Sequence, residues 1–339
     1  MELDSLSVLM IWTAVAIYAA AFIAYAFDLA RRSQIASDRK LAGTGVEERE
    51  LVGAVAGSAR SVSAGAGAGA GVGSAAAGDA QPAAPKFVMA RIGTALATLG
   101  FLFHLAGTVM RGIAAERVPW SNMYEFAMTG TLLIVAVYLG VNIRFDLKYL
   151  GTFILGLIVM LLGGAAIGFY VVVVPLSDPL KSVWLVIHVF VASLGTAFLA
   201  LAFALSVLQL MQMRRERLVL AGSAKAGPRF LATLPTAERM EGLAYRFATV
   251  GFIFWTFTLI AGAIWAQDAW GRYWGFDTKE TWTFIIWVLY AGYIHARATR
   301  GWRGSRSAWL SIVGFTAVLF NFTIVNMFFK GLHVYSGLS

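Results

Sequence analysis

The sequence predicts an all-α polytopic membrane protein of about eight transmembrane helices, with a Trp-rich external loop between the sixth and the seventh. Three observations carry this reading: bulk composition, the lengths of the apolar runs, and the distribution of positive charge. Of 339 residues, 59% are hydrophobic and 13% charged, and the mean hydropathy is +0.73. Soluble domains run near about 45–50% apolar and about 25% charged. A soluble fold could not cover that much apolar surface, so lipid is the expected solvent. Eight runs approach the roughly 20 residues a bilayer requires: 7–30, 88–110, 122–142, 149–174, 183–211, 246–267, 281–298 and 307–329. Run 7–30 is read as a span and not as a cleaved signal. Its leading residues include Glu2 and Asp4, and Arg31-Arg32 follows the apolar stretch instead of preceding it.

Alternating the eight spans divides the loops into two sets. One set holds 21 of the 27 Lys and Arg residues. The positive-inside rule assigns it to the cytoplasm and places both termini outside, with the Trp-rich loop. A multi-pass protein of the plasma (inner) membrane is therefore expected. The formal charge of +9 is explained by topology, and no basic stripe or base-stacking module points to nucleic acid. Residues 1–30 form an N-terminal transmembrane helix in this reading, and residues 31–86 a cytoplasmic loop. Within that loop, 53–85 is a Gly/Ala/Ser tract that reads as a flexible linker. Residues 87–339 form a seven-helix membrane core.

The chain has no cysteine and only four histidines, His104, His188, His295 and His333. It forms no disulfide and relays no thiol redox equivalents, so soft-metal or heme ligation falls to His or Met. The loop 265–282 contains Trp265, Trp270, Tyr273, Trp274, Phe276 and Trp282 within 18 positions. An interfacial aromatic belt is one reading. Gly271, Gly275, Asp277, Lys279 and Glu280 threaded among the rings suit another: a surface where a large planar ligand approaches the backbone. Arg272 and Lys279 would meet carboxylates at that ligand's edge, or Arg272 is an interfacial anchor. Asp277 and Glu280 also have the spacing of a helix capping box. Topology puts His188 just inside the outer end of its span and His333 just beyond the last span. Both are then on the loop's side, where the two imidazoles could ligate one iron. His295 lies 15 residues after Glu280, about 22 Å deeper along one helix, in the inner half of the membrane. An ionisable side chain there is a functional-site candidate. His104 is read as a packed polar residue.

The segment Trp270-Gly271-Arg272-Tyr273-Trp274-Gly275-Phe276-Asp277-Thr278-Lys279-Glu280-Thr281-Trp282 resembles the tryptophan-rich WWD signature of the CcsA/ResC family of system II cytochrome c biogenesis, often called CcsB in actinobacteria. Phe276 stands where the family often has Trp, and Thr278 where Pro is common. System I heme proteins such as CcmC and CcmF have similar loops. Three further segments look like family motifs: Arg117-Val-Pro119-Trp120-Ser121-Asn122-Met-Tyr-Glu125, Trp184-Leu-Val-Ile-His188-Val, and Gly331-Leu-His333-Val-Tyr335. The first is also spaced as a capping box, Asn122 to Glu125. Together they cover most of 88–339.

The resemblance implies that heme b is bound and presented on the outer face for thioether attachment to apocytochrome c. His188 and His333 would ligate iron at the outer site, with Trp270, Gly271, Arg272, Tyr273, Trp274, Phe276, Asp277 and Trp282 around the ligand. His295 would be one ligand of an intramembrane heme whose second ligand comes from a ResB-type membrane partner. Implied partners are apocytochrome c with its Cys-x-x-Cys-His segment, membrane lipid and, indirectly, a thioredoxin-like thiol reductant. The chain would be a subunit of a holocytochrome c synthase complex. The alternative is a heme transporter or exporter without lyase activity, although no repeated broken-helix pattern is visible. A cytochrome b-type electron carrier would want two His pairs within the bundle, and only His295 is clearly deep.

Overall fold

Apolar runs in lipid must satisfy their backbone internally, and helices do so segment by segment. The computed structural model describes residues 2–60 (main chain alone over 36–60), 88–174, 181–223, 227–299, 302–329 and 331. Among these residues it is helical throughout, with no strand. The helices are α1 (Glu2–Arg60), α2 (Val88–Ala115), α3 (Met123–Arg144), α4 (Gly151–Gly168), α5 (Val183–Leu220), α6 (Ala237–Trp270), α7 (Thr278–Ala298) and α8 (Ser305–Phe320). A π turn, Asn321–Val325, continues α8 into a last helical turn, Asn326–Phe328.

Seven helical stretches are long and apolar enough to cross a membrane: Glu2–Ile35 of α1, α2, α3, Lys148–Gly168, α5, α6 and Ser305–Phe328. The chain is a multi-pass membrane protein. The remaining expected span, α7, has 21 residues, about 31 Å at 1.5 Å per residue. It is the least apolar of the eight because Lys279, Glu280, His295 and Arg297 sit on it. Helix α1 continues past its apolar part to Arg60, so the main chain over 31–60 is helical where the sequence suggested a loop. Residues 61–85 of the expected linker lie outside the described residues.

Two helix groups make the bundle. Helix α1 packs on α2 and α4, and α3 packs on α4; α5 packs on α6 and α8, and α7 on α8 and α6. The α3–α5 contact joins the groups. Tyr18, Tyr25 and Tyr138 with Leu150 and Ile154 fill the first, and Leu199, Leu201, Leu205, Tyr290 and Phe315 the second.

Polar residues end the helices at one face of the bundle. Asn122 caps α3 by accepting the Glu125 amide at 2.9 Å, and Ser182 accepts the Trp184 amide at α5. The expected reciprocal bond of the Asn122–Glu125 box is absent. The Glu125 carboxylate accepts instead from the Ser121 amide and hydroxyl, both at 3.0 Å. It also meets Arg111 Nε at 3.0 Å and Arg117 NH1 at 2.6 Å. Arg111, fully buried, reaches Asp4 at 2.5 Å and the Val171 carbonyl at 2.8 Å. The ends of α1, α2 and α3 and the strap after α4 are thus tied together through the Arg111 guanidinium.

His104 is fully buried, as a packed polar residue should be. Its Nε2 donates to the Met128 carbonyl at 2.9 Å, which leaves Nδ1 to accept from Tyr18 Oη at 3.3 Å.

Candidate functional site

Helix α6 stops at Gly271, whose φ of +69 is a left-handed conformation open to glycine at little cost. Six residues later Asp277 opens α7 with a full capping box: its side chain accepts the Glu280 amide, and Glu280 reaches back to the Asp277 amide at 3.1 Å. Glu280 also takes the Gly275 amide at 2.8 Å. The seven-residue turn between α6 and α7 is therefore pinned from inside by one carboxylate. Aromatic rings are left on its outer surface: Tyr273 is 62% and Phe276 82% exposed. Phe276 holds a left-handed φ of +56, a strained conformation for a bulky residue.

Beneath this turn lies His188, half-buried on the first turns of α5. Its Nδ1 hydrogen bonds to the Thr258 carbonyl of α6 at 2.9 Å. A carbonyl only accepts, so Nδ1 carries the proton and the neutral ring keeps its lone pair on Nε2. The ring stacks on buried Trp265 at 6.0 Å and 19°, and Trp265 meets Trp270 edge-on at 4.8 Å. Gly262 makes room for the imidazole, since a Cβ there would stand 2.7 Å from His188 Cε1. Thr258, Gly262 and Trp265 share one face of α6 and together fix both the tilt and the tautomer of His188. Gly262→Ala should displace the ring and, were His188 to ligate the iron of a heme, weaken its binding about 10- to 100-fold, the range for lost orienting contacts around a metal-ligating His. Titration with hemin of the purified variant checks this, and unchanged affinity would show that the ring needs no such seat.

Two cavities adjoin His188, and each is lined by His188, Trp265 and Lys279. One is bordered by Trp120, Phe126 and Asn326. The other is walled by Gly262, Tyr273, Trp274 and Glu280. Lys279 donates to Asn326 across from α7, and the Asn326 amide donates to the Phe322 carbonyl at 2.7 Å. The π turn precedes Asn326, in the kind of register shift that recurs at functional sites. A third cavity, lined by apolar side chains of α3, α5, α8 and the π turn such as Ile134, Phe315 and Phe322, also ends at Lys279.

The structure thus gathers His188, Tyr273 and Trp274 at one cavity and puts Trp270 behind Trp265. Asp277 lies against Gly331 in a small adjoining pocket. Arg272 folds its guanidinium over Gly275 on the exposed side. Trp282 faces away, packed at 4.4 Å and a tilt of 43° against Phe320 of α8, so it belongs to the helix packing. His295 sits in the last turn of α7, exposed at the opposite end of the bundle. His333 lies outside the described residues. Thr258 and Gly262 were missed in the sequence, whereas Trp265, Lys279 and Glu280 already stood in the loop 265–282 read as a ligand surface. The 258–262–265 spacing on one helix face was the available signal.

A bundle with a ring-lined pocket and an oriented histidine at one end defines the class, a helical membrane protein with an aromatic-walled site at one end of its bundle. The sequence pattern of cytochrome c assembly proteins matches residues 120–333. The cytochrome c biogenesis protein CcsA of Heterosigma akashiwo is 33% identical over 249 residues, covering 65% of this chain and 77% of that protein. CcsA of Guillardia theta is 33% identical over 243 residues, covering 68% and 80%, and CcsA of Synechococcus sp. (strain CC9902) 40% over 176 residues, covering 48% and 58%. The chain belongs to the cytochrome c assembly protein family and, within it, to the CcsA family. Among solved structures, the cytochrome c heme lyase CcmF superposes with a TM-score of 0.59 at 15% identity, covering 95% of this chain. This chain spans about half, 47%, of the CcmF chain, and the likeness is one of fold.

Proposed function

We propose that the chain acts in cytochrome c maturation by binding heme at His188 beneath the Trp-rich turn and presenting it for covalent attachment to apocytochrome c. The observation that carries this is the Nδ1 bond of His188 to the Thr258 carbonyl, which sets an Nε2 lone pair beside ring-walled cavities. The donor set fits heme: an oriented neutral imidazole suits iron, flat rings suit the porphyrin faces, and Lys279 and Arg272 suit its carboxylates. His333 is the second ligand in this reading. Two residues before it, Gly331 packs against Asp277 of the turn.

The exposed Tyr273 and Phe276 face the direction from which a Cys-x-x-Cys-His segment would arrive. Each substrate thiol adds its S–H across a vinyl C=C, sulfur to one carbon and proton to the other, so no oxidant is consumed. The substrate's own histidine then replaces an iron ligand of the chain and releases the product. His295, exposed on the bundle's flank, is the ligand of a second heme completed by a ResB-type partner. The loop end is extracytoplasmic and the arginine-rich end cytoplasmic.

Incubating the purified protein and partner with heme, a thiol reductant and apocytochrome c should yield heme that survives acid–acetone extraction of the cytochrome. If heme instead crosses into the lumen of proteoliposomes and never becomes covalent, the chain is a transporter and the lyase reading fails.

A further inference from the structure

At the end opposite the Trp-rich turn, an open cavity of about 710 Å³ is bordered by Arg32, Arg144, Arg239 and Arg246, with Tyr149 and Asp146. These side chains come from the polar stretch of α1, the end of α3, the turn before α4 and the first turns of α6. Cationic loops are expected wherever helices meet the cytoplasmic surface. That rule explains how many arginines occur at this end, but not why four from three helices ring one cavity. Their charges are poorly balanced. Asp146 is engaged by Lys148 at 2.7 Å, and Arg32 binds Asp28 at 2.5 Å. Among the described residues no carboxylate pairs with Arg144, Arg239 or Arg246. Guanidinium groups gathered in this way repel one another until an anion enters.

A second observation points to the same ligand. The Tyr149 hydroxyl, which lines the cavity, is buried and has no hydrogen-bond partner. A buried hydroxyl left unpaired is costly and rare, and a ligand oxygen would accept from it. Apolar side chains, Phe145, Leu234 and Leu243, stand beside the arginines. Guanidinium forks match phosphate oxygens in pairs, while the apolar wall suits the first carbons of acyl chains.

We propose that this cavity binds the phosphate headgroup of an anionic phospholipid, held by Arg144, Arg239 and Arg246 with Tyr149 donating to a phosphate oxygen. Basic pockets between helices at this membrane depth commonly take such headgroups. The bound lipid would bridge α3 and α6, one helix from each of the two groups, and so brace the base of the bundle that carries the His188 site at its other end. The proposal does not depend on heme binding.

The test is native mass spectrometry of the purified full chain exchanged into nanodiscs of phosphatidylglycerol or of phosphatidylcholine. Tightly retained phosphatidylglycerol and no retained phosphatidylcholine are expected. Arg144→Gln with Arg246→Gln should weaken retention roughly 30-fold, Tyr149→Phe should weaken it less, and raising salt should weaken it in the wild type. If the double variant fails to fold, the Tyr149→Phe and salt results decide alone. Equal retention of both lipids, or no loss in any variant, overturns the proposal. Displacement of the lipid by millimolar inorganic phosphate would identify a free-phosphate site and overturn the lipid assignment.

Discussion

Replacing His188 with alanine is expected to lower holocytochrome c formation by at least about 100-fold, while the protein stays inserted and at wild-type abundance. Losing a partner that merely orients a metal-ligating histidine costs about 10- to 100-fold, and loss of the ligand itself should exceed it. The fold should survive, because the ring is half-buried and lies at the end of the bundle rather than in its main core. Removing it enlarges cavities that already exist beside it. The readout is covalent heme in membranes beside an immunoblot of the chain. Exogenous imidazole should restore part of the activity by filling the vacated position with the same donor. A variant that keeps holocytochrome c would exclude His188 as a ligand. A variant that loses the protein together with the activity would make its role structural.

The second large effect concerns stability. Glu125→Ala removes the carboxylate shared by Arg111 and Arg117 and leaves Arg111, fully buried, with Asp4 as its remaining ion-pair partner. Breaking one member of a buried ion network typically costs about 3–5 kcal/mol, because the other charge stays buried without its partner. Glu125→Gln should cost nearly as much, since shape is kept and charge is lost. Thermal melting in detergent checks both, with Asp146→Ala as control. That carboxylate is 71% exposed, and an exposed pair contributes about 0–1 kcal/mol. Function should fall with stability here, because the 117–125 segment that Glu125 anchors also carries Trp120 into the His188 cavity. The motif around Asn122 is therefore as much a clamp on three helices as a wall of the site. A melting temperature unchanged in Glu125→Ala would contradict this.

What could be read in the sequence was what is local in it. Span positions follow from runs of apolar residues, and the Asp277–Glu280 box follows from a spacing of three. The α6–α7 turn shows itself through Gly271 and a concentration of rings. The helical stretch 31–60 was missed because polarity was taken as a loop signal, although Ala, Glu, Arg and Leu propagate a helix outside a membrane as well as within it. The contacts that tune the site are not local. His188 and Thr258 are 70 residues apart, Lys279 and Asn326 47, and Asp4 and Arg111 107. No periodicity encodes such pairs; they arise when helices pack. Glu125 shows the same limit. Its spacing from Asn122 allowed a cap, and only the arrival of two arginines from elsewhere showed that its charge is used differently. Trp282 was grouped with the loop by proximity in sequence, yet its position one turn into α7 rotates it toward α8.

The central claim, that His188 presents Nε2 to a heme iron beneath the Trp-rich turn, is tested most directly by absorption spectroscopy. The protein is purified with its membrane partner, and spectra are recorded before and after dithionite for the wild type and for His188→Ala. A low-spin heme spectrum in the wild type that is lost or shifted in the variant, and restored by added imidazole, is the predicted result. Heme-free wild-type protein, or identical spectra in the two, would contradict the account and leave the ring-rich turn as a membrane-interface belt.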